Sequence, residues 1–178
     1  MQKVFQTIID VNHGNCEQAV IASIFELPLD DVPNFIEYKK GKEFDKSLFG
    51  WLYEKGFSPG SIYKSNYGLE KLKSIAKSDG GYKGYFHALV PSQTFENVMH
   101  AVVADTELNI VHDPNPNQLA LNLSPEDIIS IIVLKDMIIG KTGKLYTKEK
   151  WNLISEEERE ANTYKVIYDE NDKIIGKE

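Results

Sequence analysis

The chain holds one thiol and four imidazoles, so covalent chemistry by sulfur has a single place to happen. Cys16 stands in Gly14-Asn15-Cys16-Glu17-Gln18-Ala19, directly ahead of the run Ala19-Val20-Ile21-Ala22-Ser23-Ile24-Phe25. That run is small and aliphatic on nearly every face, the pattern of a helix buried inside a domain. Asn15 is a favourable N-cap type, which puts Cys16 in the first turn. There the unpaired N–H groups and the positive end of the helix dipole favour thiolate over thiol. A thiolate nucleophile needs a base and a group to orient that base. The candidates are His100, opening Met99-His100-Ala101-Val102-Val103-Ala104-Asp105, and Asp113, in Val111-His112-Asp113-Pro114-Asn115-Pro116. Convergence of Cys16, His100 and Asp113 would form a catalytic triad. Taken singly, each has a plainer use: a small packing residue, a polar group at a strand end, and turn chemistry ahead of proline.

Three further residues are candidates for lining a cleft around that triad. His87 lies on a strand expected beside that of His100. His112 neighbours Asp113 and by strand alternation points the other way, to the surface or behind the site. Trp51 belongs to an aromatic set with Phe44, Phe49, Tyr53 and Phe57, for which core and rim is the simpler use. His13 and Cys16 have H-x-x-C spacing, but one soft ligand is poor provision for zinc, and no metal is expected. Gly140-Lys141-Thr142-Gly143-Lys144 lacks the spacing of a phosphate-binding loop. No cofactor is expected.

The elements that must position these groups divide into helices first and strands second. Residues 3–9 alternate roughly, predicting a short first strand, and the buried helix then runs to about Leu27, where Pro28 ends it. Residues 29–33 read as a turn of helix. Residues 44–55 have helical spacing with Gly56 as the stop, and this helix should pack on the first. Residues 61–64 are too short to assign, while 69–77 predict a helix stopped by Asp79-Gly80-Gly81. Residues 82–90, 98–104, 108–112 and 128–134 are strand-like, predicting an antiparallel sheet. Ser124-Pro125-Glu126-Asp127 has the cap, N1 proline and acids of a short helix start. Beyond it, 140–144 reads as a hairpin or linker, 147–161 as a charged helix around Trp151 and Leu153, and 164–175 as a hairpin turning at 170–172. The fold class is α+β, with N-terminal helices packed on a C-terminal antiparallel sheet. The expected division is a domain over 1–138 and an extension over 139–178, helix plus β-hairpin, packed on it.

The 178 residues, 42% hydrophobic, suit one domain with a substantial core. A formal charge of -7 argues against nucleic-acid polymers and anionic membranes as partners. One cysteine forms no internal disulfide, the first dozen residues carry no signal pattern, and no run reaches the ~18 apolar residues of a membrane span. A cytoplasmic location is the expectation. Oligomeric state is not legible.

Together these segments resemble the papain-like cysteine peptidase superfamily, in compact bacterial and phage forms related to the bacteriocin leader peptidases. In those, a sequence like Asn15-Cys16-Glu17-Gln18-Ala19 opens the central helix, His-Ala-Val-Val opens a strand, and the next strand ends in Asp-Pro. Leu27-Pro28-Leu29-Asp30-Asp31-Val32-Pro33 and the His-Asp-Pro-x-Pro form of His112 to Pro116 are similar to small phage-borne members. The resemblance covers roughly residues 4–134 and implies Cys16 as nucleophile, His100 as general base and acid, and Asp113 as the group fixing the tautomer of His100. Asn115 is the reserve third member.

One departure stands out. The family places a glutamine six residues before the cysteine as an oxyanion donor, and here that position is Asp10, whose charge would oppose a developing oxyanion. Asn12 or Gln6 could substitute, beside the Cys16 backbone N–H, with Asn15 in support. The implied activity is hydrolysis of a peptide, protein or small amide by a cysteine nucleophile. The competing expectation, which Asp10 favours, is a papain-like scaffold that binds a protein or a small nucleotide, as a phage counter-defence protein would.

Overall fold

The computed structural model describes residues 1–37, 47–133, 137–139, 145–147, 153, 155–157, 166–168 and 174–177. The apolar run after Cys16 forms α1, Cys16–Phe25, and every residue from Glu17 to Ile24 is buried. It ends in a left-handed Glu26 (φ 60°), whose N–H returns to the carbonyls of Ala22 and Ser23. Two short 3-10 turns follow, Leu29–Asp31 and Phe35–Glu37. Helix α2, Leu48–Glu54, starts on Ser47, whose hydroxyl accepts from the Gly50 N–H, and it ends ahead of Gly56 at φ +83°. As expected, α2 packs on α1: Trp51 and Leu52 share a core with Ile21 and Ala22.

Strands β1 (Phe57–Tyr63), β2 (Tyr85–Pro91), β3 (Met99–Asp105), β4 (Ile110–His112) and β5 (Asp127–Val133) make one sheet in the order β1-β5-β2-β3-β4. All four pairings are antiparallel. The class is therefore α+β. Between β1 and β2 lie α3 (Lys64–Tyr67) and α4 (Leu69–Asp79), the latter stopping at a left-handed Gly80 as its Asp-Gly-Gly sequence predicts.

The helices do not all lie on one side. Ala101 and Val103 of β3 meet Val20 and Ile24 of α1, while Val102 and Ala104 meet Leu72 and Ala76 of α4. On β5, Ile129 and Ile131 join the α1–α2 core and Ile128 joins the α4 core. The central strands are thus covered on both faces, which is why they read as continuous apolar runs instead of alternating ones.

Several sequence expectations need correction. Residues 3–9 form no strand. Val4 donates to the Ser23 hydroxyl (2.9 Å), its carbonyl faces His112 Nε2 (2.8 Å), and Gln6 donates to the Pro114 carbonyl (2.9 Å). Side chains and a loop carbonyl thus replace a ladder partner. Residues 61–63 complete β1 and Lys64 opens α3; the strand is hidden by Pro59 and Gly60, which its edge position tolerates. Ser124–Asp127 is no helix start: the Glu126 N–H donates to the Leu89 carbonyl (2.8 Å) and Asp127 opens β5. Since β1 precedes α4, strands and helices interleave and are not segregated along the chain.

Past Val133, β6 (Met137–Ile139) pairs with β7 (Leu145–Thr147), and β8 (Val166–Tyr168) with β9 (Ile174–Lys177), both antiparallel. The expected boundary at 138/139 cuts through β6, whose partner is β7. The turns at 140–144 and 170–172, and most of the charged helix expected over 147–161, lie outside the described residues.

Candidate functional site

Cys16 is the first residue of α1 and is partly exposed. Asn15 ahead of it makes no side-chain capping bond. Buried, its Oδ1 accepts from the Thr7 and Ile8 N–H groups (3.0 and 2.9 Å), and its Nδ2 donates to Thr7 Oγ1 (3.1 Å) and Gln18 Oε1 (2.9 Å). Gln18 in turn donates to the carbonyls of Leu29 and Val32. Asn15 therefore fastens the N-terminal segment to the head of α1, a supporting role different from the N-cap role its type predicts.

The β3–β4 hairpin carries the other two residues. His100 Nε2 lies 2.7 Å from Asp113 Oδ1. Asp113 is 1% exposed, yet its carboxylate is well provided for: Oδ1 also accepts from the Asn115 N–H (2.8 Å) and Oδ2 from the Ala120 N–H (2.9 Å). Burial pushes the Asp113 pKa up, but the bonds from His100, Ala120 and Asn115 outweigh it and hold the carboxyl below its usual range. His100 also hydrogen-bonds Cys16. With Nε2 committed to the carboxylate, Nδ1 is the ring nitrogen left for the sulfur. Burial lowers the imidazole pKa, and the bonds and negative charges of Asp113 and Cys16 raise it further than that, to about 9. At neutral pH His100 is therefore an imidazolium, set between the Asp113 carboxylate and the Cys16 sulfur.

Sulfur, imidazole and carboxylate line one pocket of about 400 Å³. Its walls are the loop of Ile9 to Gly14 and the β2–β3 connection of Ser92 to Val98. Gln6 lines it too, buried, with its Nε2 donating to the Ile8 carbonyl (3.2 Å), while its Oε1 has no partner among the described residues.

Asp10 also lines the pocket, but its carboxylate serves the loop. Oδ1 accepts from the Asn12 and His13 N–H groups, both at 2.8 Å, and lies 3.1 Å from His13 Nδ1. The two backbone bonds are the main reason its pKa sits below the usual value. A second closure joins the Gly14 N–H to the Asp10 carbonyl (3.0 Å), and a Cβ on Gly14 would stand 2.4 Å from that carbonyl oxygen. Asn12 is exposed on the same loop and lines the pocket. Asn115 lines it as well, but the place beside Nε2 belongs to Asp113; the Asn115 side chain accepts from the Asn117 N–H (3.0 Å) and shapes the turn.

The three further cleft candidates do not line the pocket. His87 is fully buried behind α1, its Nε2 3.5 Å from Glu17 Oε1, longer than a strong hydrogen bond. His112 is equally buried, not at the surface: beside its bond to Val4 its ring meets Phe5 edge-on, and burial lowers its pKa. Trp51 is core, edge-on to Phe25 and Phe35. His13 turns to Asp10, and among the described residues no group of three or more His, Cys, Asp or Glu is arranged to hold a metal. No described helix is long and apolar enough to cross a membrane.

Sequence reasoning missed the Ala120 N–H that holds Asp113, and Gln18 as the anchor of Asn15. Neither leaves a sequence signal, because each acts through backbone groups or contacts made only by folding. No protein-family model, curated protein or solved structure matches this chain.

Proposed function

We propose that this chain is a papain-like cysteine hydrolase acting on a peptide or other amide bond. The observation that carries the reading is the meeting of Cys16, His100 and Asp113 in one open pocket, with His100 bonded to both partners. In this scheme the Cys16 thiolate attacks the substrate carbonyl carbon, and the C–N bond breaks as the His100 imidazolium gives its proton to the leaving amine. The now neutral imidazole takes a proton from water, whose oxygen attacks the acyl carbon and releases acid and thiolate. Asp113 holds Nε2 throughout and so keeps Nδ1 toward the sulfur.

The oxyanion needs donors. The Cys16 N–H at the head of α1 is one, and Gln6 suits the other. One of its two amide N–H groups is held by the Ile8 carbonyl, which fixes the amide plane and leaves the second to donate. The Gln6 backbone is tied to Pro114, next to Asp113, so donor and base share one support. Asp10, turned to its own loop, need not meet the oxyanion.

The test is iodoacetamide alkylation of the native protein. Rapid labelling of Cys16 that is slowed at least ~10-fold in His100→Ala is expected. A thiol that resists labelling, or one indifferent to His100, would sink the hydrolase reading and leave a packing cysteine.

A further inference from the structure

Exposed large apolar side chains gather around this pocket. Ile9, Val11, Met99 and Leu119 all line it, and all are between 44 and 54% exposed. Leaving that much aliphatic surface in water is unfavourable, and its concentration at one opening marks a place where an apolar group docks. The charge at the same opening is mostly negative. Asp10, Glu17 and Asp113 line it, no lysine or arginine does among the described residues, and the His100 imidazolium there is paired with Asp113 and Cys16.

Asp10 is the charge available to a ligand. Its Oδ1 is taken by the Asn12 and His13 N–H groups and by the His13 ring, and no described residue bonds its Oδ2. The carboxylate is fixed in advance by the closed turn from Asp10 to Gly14, and it remains half-exposed at the pocket wall. A cation reaching Oδ2 would therefore meet an oriented acceptor without reordering the loop. A phosphate or carboxylate would meet repulsion from Asp10, and the His100 imidazolium that could offset it is already paired with Asp113 and Cys16, which disfavours a nucleotide as occupant.

Resting on the hydrolase reading above, we infer that the substrate is a peptide carrying a lysine or arginine beside an aliphatic residue, the aliphatic side chain seated against Ile9, Val11, Met99 and Leu119 and the cation on Asp10. Asp10 then sets specificity and takes no part in bond breaking.

Binding and cleavage are measured separately. Short blocked peptides, identical except for one aliphatic position (Leu or Ser) and its neighbour (Lys, norleucine or Glu), are titrated into Cys16→Ala by fluorescence anisotropy. The Leu-Lys peptide is expected to bind at least ~10-fold tighter than Leu-Glu, with Leu-norleucine between them, and Ser in place of Leu to weaken binding. Asp10→Asn, which keeps an acceptor for the loop N–H groups, should close the Lys–Glu gap and leave the Leu–Ser gap. Raising salt on the unsubstituted Asp10 background should narrow the first gap as well, independently of any effect of the variant on folding. Equal or tighter binding of Leu-Glu, a charge preference undiminished in Asp10→Asn, or no saturable binding of any peptide overturns the inference. The same peptides are then incubated with the chain that retains Cys16 and the products weighed by mass spectrometry. Selective binding without cleavage removes the hydrolase reading and keeps the ligand preference; cleavage without charge preference does the reverse.

Discussion

His100 is held by two negative partners, and that fixes how the site responds to pH. Its folded pKa of about 9 lies above the ordinary 6.5. The bonds to Asp113 and Cys16 therefore contribute stability that is fully present below about 6.5 and lost as pH rises through about 9. Amide hydrolysis needs the same imidazolium to protonate the leaving amine, so kcat/KM should fall on the alkaline side through about pH 9. A profile flat across that range would contradict the assignment. Gln6 allows a second prediction: Gln6→Ala should lower kcat by roughly 10²–10³ with little change in KM, as loss of one oxyanion donor does. Steady-state kinetics beside an unfolding curve separates this from misfolding. At this scale the sequence was most legible for Cys16, His100 and Asp113, whose chemical types are scarce or sit at element ends. It was least legible for Asp10, where residue type gave the charge but not which oxygen the loop would occupy.

The elements that matter most are the head of α1 and the turn leading into it. Gly14 is required there because a Cβ would enter the Asp10 carbonyl at 2.4 Å, and that contact is backbone. Gly14→Ala should cost roughly 1–3 kcal/mol in urea unfolding, by forced backbone displacement. It should also slow Cys16 alkylation, since the turn and the head of α1 are continuous. An unchanged midpoint would show the turn to be dispensable. The helices α1, α2 and α4 were readable from apolar spacing and their stops, and β2 to β5 from branched and aromatic runs. Strand β1 was not, because Pro59 and Gly60 carry turn chemistry that pairing with β5 overrides. The 3–9 segment failed in the opposite sense: its alternation is strand-like, but its backbone groups are met by Ser23, His112 and Pro114 in place of a neighbouring strand.

Every described residue of the three apolar cores and of the pocket lies within the first 133 residues. A chain ended just before Met137 should therefore unfold in one cooperative transition and alkylate at Cys16 at the rate of the whole chain. Loss of either would make the C-terminal strands part of the fold. Across the molecule, local physics was enough for the α+β class, most of the periodic elements and the choice of the three residues that meet in the pocket. Periodicity, capping types and the scarcity of sulfur and imidazole are properties of short stretches, and they survive without a partner. Which faces of the sheet are covered, which loops wall the pocket and which His87 or His112 nitrogen meets what depend on contacts between residues far apart in the chain. Those contacts are selected by packing volume and by the need of buried backbone groups for partners, neither of which a local pattern encodes.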